Sequence, residues 1–166
     1  MSVSTRIATN TRTQTAVFLA DTIMGAFSEV IAVLGLSHTS LTSQWTIIEN
    51  GIKQWIEEGS LSEVVLECGP TDRPYAVFEI PIRYSYGTGE VEFVASKARL
   101  TRYLAKLASV PAGATYRVVT SHSGSHTPMS GWSATTRAAT ADMSSFSLGS
   151  LGRAPDASIS ARYLTR

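Results

Sequence analysis

The chain has 166 residues, of which 43% are hydrophobic and 16% charged, with a formal net charge of +1. Those totals suit one domain with an apolar core and exclude a strongly acidic, basic or low-complexity chain. A single cysteine, Cys68, excludes an internal disulfide and a cysteine-cluster zinc site.

Met1 to Thr13 is rich in Ser and Thr, carries Arg6 and Arg12 and has almost no apolar content, which predicts a flexible lead over residues 1–13. From about Gln14 to Leu34, Ala16, Ala20, Ile23, Phe27, Val30 and Leu34 recur at helical spacing. Val17, Met24 and Ile31 widen that stripe, so the helix is expected to be buried on more than one side. Asp21 and Glu29 interrupt its apolar run and the N-terminus lacks the order of a signal peptide, so no membrane span and a cytoplasmic location are expected. Gly35 stops the helix, and a second one follows the cap oxygens of 37–40 and runs to about Glu58. Leu41, Trp45, Ile48, Ile52 and Trp55 face its core side, Glu49 and Lys53 pair on the outside, and Gly59 ends it.

Strand signals come next. Ser62 to Gly69 alternates, with Val64, Leu66 and Cys68 on one face and Val65 on the other. A turn at 70–74 joins it to Tyr75–Tyr86, an antiparallel hairpin in which Pro81, without an N–H, predicts an edge strand or a bulge. After a turn at Gly87–Gly89, a helix over 94–109 presents Leu100, Tyr103, Leu104 and Leu107 inward. Arg99, Arg102 and Lys106 form its basic face, with Lys97 nearby. Ala114–Ser121 reads as a third strand, Tyr116 and Val118 alternating with Arg117 and Val119.

Catalytic constellations are thin. Cys68 lies among aliphatic strand neighbours, as a buried thiol does. His122 and His126 are four apart in a Ser/Gly loop, where the spacing does not align their rings, so no metal site is expected. Glu57 and Glu58 point apart, and Gly87-Thr88-Gly89 lacks the Gly and Lys of a phosphate loop. Neither an enzyme nor a cofactor is expected. The alternative function is an α+β module binding nucleic acid through the basic face of helix 94–109; it lacks a stacking-strand or helix-turn-helix motif, so direct nucleic-acid binding is not the expectation.

Two features of organisation remain. Residues 1–93 carry five Lys or Arg against eleven Asp or Glu, whereas residues 94–166 carry nine against two, so the two parts are expected to pack on each other. Residues 123–166 include nineteen Ser, Thr or Gly among forty-four, yet are seeded with Met129, Trp132, Met143, Phe146, Leu148, Leu151, Ile159, Tyr163 and Leu164. Groups that large gain free energy only if something buries them, which predicts a segment laid across a separately folded body.

Trp55-Ile56-Glu57-Glu58-Gly59 followed by Leu61–Glu67, then Ile82-Arg83-Tyr84, Gly131-Trp132-Ser133, Asp142-Met143 and Ser147-Leu148-Gly149-Ser150 resemble, in that order, the bacterial HORMA-domain proteins of CBASS antiphage operons. The resemblance implies an α+β HORMA fold, helices packed on an antiparallel sheet, with a core over 14–122 and a C-terminal safety belt over 123–166. It implies a non-enzymatic regulator that closes its belt around a closure-motif peptide and, closed, activates a cGAS/DncV-like nucleotidyltransferase (CD-NTase) making a cyclic oligonucleotide. A Pch/TRIP-type AAA+ ATPase would open it by engaging the segment that holds Arg6 and Arg12. By the same resemblance the peptide pairs with Thr115, Tyr116, Arg117, Val118, Val119, Thr120 and Ser121. Trp132, Met143, Phe146 and Leu148 become belt anchors, and Arg99, Arg102 and Lys106 a dock for the nucleotidyltransferase.

Overall fold

The core is organised around α1 (Val3–Val33), which packs against α2 (Thr39–Glu57), α3 (Ala98–Leu107) and one face of a sheet. The computed structural model describes the backbone of residues 3–85, 93–96, 98–107 and 110–166, and their side chains except at 3–10, 98, 105 and 107. The turn expected at Gly87–Gly89, Lys97 and the side chains of Arg6 and Leu107 lie outside the described residues. Leu19, Ala20, Ile23, Met24, Phe27, Val30 and Ile31 of α1 are fully enclosed, so the wide stripe is buried on more than one side as its width predicts. Thr11–Val33 is long and apolar enough by composition to cross a membrane, despite Asp21 and Glu29; here it is the central helix of the core.

Where the sequence predicts a flexible lead to Thr13, α1 already begins at Val3. Residues 4–13 contain neither Gly nor Pro, so a helix nucleated by the apolar stretch can run back through them. Arg12 is held in place: its Nε donates to Asp156 at 2.6 Å, and its guanidinium lies 5.1 Å over the Tyr84 ring.

The described strands are β1 (Leu61–Cys68), β2 (Ala76–Tyr84), β3 (Val94–Ala95), β4 (Tyr116–His122), β5 (Ser144–Ala154) and β6 (Ala157–Thr165). They form one antiparallel sheet in the order β3-β5-β6-β2-β1-β4. Two further expectations differ from what is found, at 94–95 and at Pro81. The stretch 94–95 is strand, and the helix expected over 94–109 begins only at Ala98. Twenty of the tail's forty-four residues, in β5 and β6, are sheet. Pro81 sits in an interior strand between β1 and β6; the β2–β6 ladder is interrupted there, Glu79↔Arg162 resuming at Ile82↔Ile159, so the missing N–H falls in a gap.

The sheet has two unlike faces. Val64, Leu66, Cys68, Phe78, Ile80 and Tyr163 face the helices, and Val65, Val77 and Leu164 face the opposite side with Met143 packed on them. Burial pushes the Cys68 thiol up to about 12, as expected of an inert structural cysteine.

Candidate functional site

β4 pairs with β1 from Cys68↔Tyr116 to Leu61↔His122, and among the described residues no strand pairs with its other edge. Its side chains alternate as the sequence predicts. Tyr116 and Val118 turn to the helices, while Arg117 and Val119 share the outer face with Glu67 and Val65. The Tyr116 hydroxyl donates to the Ser37 carbonyl and accepts from the Leu41 N–H at 3.1 Å, fixing β4 against the start of α2.

Residues 123–143 leave β4, wrap its free edge and cross from the helix side to the outer face. On the helix side Glu58 accepts from the Thr127 hydroxyl at 2.7 Å and N–H at 3.0 Å, and the Trp55 indole donates to the Thr127 carbonyl at 2.7 Å. Burial opposes ionisation of Glu58, but hydrogen bonds from Thr127, Ser60 and Gln54 outweigh it and hold its carboxyl at about 2. Trp132 donates to the Ile47 carbonyl at 3.0 Å, and its ring lies against Gly51: a Cβ there would stand 2.4 Å from the indole nitrogen. Gly51 is thus a helix-interior glycine required by close approach. The His122 and His126 rings stack at 3.6 Å with 9° between planes, both edge-on to Trp55. Burial, with His126 second, pushes the His122 pKa down, against the pull of Glu58.

On the outer face the segment meets carboxylates. Arg137 forks onto Glu63 and Glu79, while Glu67 accepts from Arg117 at 2.7 Å and from the Ala138 N–H at 2.8 Å. Arg117 also donates to the Thr136 carbonyl at 2.9 Å, and Arg162 lies 3.2 Å from Glu79. Burial, with Glu79 adding to it and Arg137 opposing it, raises the Glu63 pKa. The charge division along the sequence is thereby accounted for: cations of the last third neutralise anions of the first half.

Between α2, β4 and this segment runs a channel of about 490 Å³, walled by Ile47, Ile48, Val118, Thr120, Met129 and Trp132. A free strand edge beside such a channel is a geometry that can accept an extended peptide as a further strand.

The family model for bacterial HORMA domain 2 matches residues 4–166. The chain belongs to that family. Among solved structures, a chain of the mitotic checkpoint complex shares the HORMA fold at TM-score 0.73 and 10% identity, covering 93% of this chain and 96% of that one. C. elegans HTP-2 bound to the HIM-3 closure motif matches at TM-score 0.68 and 12% identity, covering 89% and 88%. A chain of the E. coli MS115-1 HORMA:CdnC:Trip13 complex matches at 0.63 and 11%, covering 93% and 89%. No curated protein matches.

In this HORMA domain the residues singled out from sequence fare differently. Trp132, Met143 and Leu148 are packed, Leu148 at 2% exposure, but Phe146 is 39% exposed and belongs to neither core cluster. It sits near the sheet margin, on the strand that β3 covers only at Gly152–Arg153. Arg99, Arg102 and Lys106 are exposed as expected, but so is Tyr103, at 42%. His122 and His126, whose rings the spacing separates, are brought together. Gly51, Arg137 and Asp156 were not singled out. Only Gly51 left a signal, a glycine inside a helical pattern, which marks close approach.

Proposed function

We propose that this HORMA domain is a peptide-binding regulator. A closure-motif peptide pairs with β4 across Thr115–Ser121 inside the channel, and residues 123–166 are the safety belt, of which 123–143 cross over it. The observation carrying this reading is the free edge of β4, enclosed between α2 and a segment fastened on both faces of the sheet. The chain catalyses nothing itself. In the peptide-bound form it binds and activates a cGAS/DncV-like nucleotidyltransferase in antiphage defence, docking through Arg99, Arg102 and Lys106.

Arg99 supports that dock, because its guanidinium would lie 3.3 Å from a Cβ at Gly149, so the basic helix and the C-terminal hairpin form one surface. A surface built from both can report where the hairpin is. A Pch/TRIP-type ATPase opens the belt by engaging the segment with Arg6 and Arg12, and drawing Arg12 away would break its bond to Asp156 in the β5–β6 turn. The test is reconstitution with a nucleotidyltransferase encoded beside it: peptide-dependent synthesis of a cyclic oligonucleotide, lost on charge reversal at Arg99 and Arg102, is expected. Synthesis that ignores both peptide and charge reversal refutes the reading.

A further inference from the structure

The belt between Ser123 and Met143 has one basic residue, Arg137, and one acidic residue, Asp142. Its remaining residues are mostly small or hydroxylated and can lie along a sheet in many registers, so something else must choose where the belt crosses. Glu63 on β1 and Glu79 on β2 share the outer face of neighbouring strands, with side chains only 13% and 8% exposed. Two carboxylates that close and that dry repel, and Glu79 contributes to the raised pKa of Glu63. The guanidinium places one nitrogen on each. The residues on either side are bonded as well, Thr136 through its carbonyl to Arg117 and Ala138 through its N–H to Glu67. Three consecutive belt residues are therefore pinned to β1, β2 and β4 together.

We propose that Arg137 is the positioning residue that fastens the belt, its guanidinium joining Glu63 and Glu79 so that a strand paired with β4 is enclosed in a closed loop of chain. The enclosure of a peptide rests on the proposed function above; the fastening itself does not. Arg137 does not line the channel, so it acts on the bound strand through the belt and on release rather than on entry. Arginine suits the task because one planar fork reaches two carboxylates, which a lysine ammonium does with poorer geometry. When the belt and the hairpin leave, Arg137 and Arg162 leave together, and the three carboxylates keep only Arg117.

The test begins on the free full-length chain by hydrogen exchange of wild type, Arg137→Ala and Arg137→Lys. Exchange of the Ala138 amide, the described bonded N–H within 133–141, is expected to rise about tenfold or more in Arg137→Ala, with β1, β2 and 127–132 little changed and Arg137→Lys between the two. Glu63→Gln with Glu79→Gln should reproduce the effect without touching the belt, and serves if Arg137→Ala folds poorly. Unchanged exchange at Ala138, or a uniform rise through the chain, overturns the proposal. The second readout is release of a fluorescein-labelled peptide selected on the wild-type protein from a random displayed library. Arg137→Ala should speed dissociation about tenfold while association stays within about threefold; equal dissociation overturns the proposal. Failure to select any peptide counts against the proposed function, and the exchange experiment still decides the fastening.

Discussion

Residues 127–132 and residues 136–138 hold the same segment by different forces. The first stretch is held on the helix side by Trp55, Trp132 seated on Gly51, and neutral hydrogen bonds, with Glu58 as its one charge. The second is held on the outer face by ion pairs to Glu63, Glu67 and Glu79. Burial of an indole is non-directional and insensitive to salt, whereas an ion pair has a fixed partner and weakens when a counterion competes. That division lets one end be loosened while the other stays seated.

The largest perturbation removes the group that joins the helix-side end to the core. Trp55→Ala removes a side chain that is 2% exposed and should cost about 3–5 kcal/mol of global stability, read as a lower midpoint in denaturant unfolding. A midpoint shift under about 1 kcal/mol would mean that Trp55 is not shared between core and belt. Gly51→Val separates the ends: the added carbons displace the Trp132 indole, costing about 1–3 kcal/mol. Faster exchange over 127–135 and a red-shifted tryptophan emission are expected, with 136–138 still protected; equal loosening at 136–138 would deny the division.

Salt makes the converse cut. Raising NaCl from about 0.1 M to about 1 M shortens the Debye length from roughly 10 Å to roughly 3 Å. Exchange at 136–138 should quicken while 127–132 holds, and the reverse order would refute the assignment of forces. The smallest effect concerns acid. With its pKa lowered from 4.5 to about 2, Glu58 stabilises the folded chain above pH 4.5, and that contribution fades as the pH falls towards 2. Thr127→Val should return the Glu58 carboxyl towards its ordinary value in an NMR titration. An unmoved pKa would show that Thr127 does not hold it.

Much of the fold is written in periodicity that one element carries by itself. The stripes of α1 and α2, the β1–β2 hairpin and the alternation of β4 need no knowledge of what they pack on. β5 and β6 escaped because their inward positions are small as often as large: Leu148, Leu151, Ala154, Ala157, Ile159 and Ala161 alternate with Ser, Gly and Arg, a pattern with weak strand propensity. Phe146 shows the opposite error, since its size suggests an anchor but the strand beside it ends too soon to cover it. Arg137 carried no signal at all. Its meaning depends on two strands that lie 74 and 58 residues earlier, and only the folded sheet sets those carboxylates side by side. The geometry of the candidate site was thus half legible: the β4 strand and the packing of Trp132, but not the ionic end.

The same distance in sequence governs how the protein is made. During synthesis the first 93 residues emerge with eleven acidic and five basic side chains, and Glu63, Glu67 and Glu79 are complete before any of Arg117, Arg137 and Arg162 exists. The helix-facing side of the β1–β2 hairpin can gather around α1 while the ribosome is still working. The outer face cannot be neutralised until Arg137 and Arg162 have been added, so those ion pairs can close only after the hairpin that carries their carboxylates has been made.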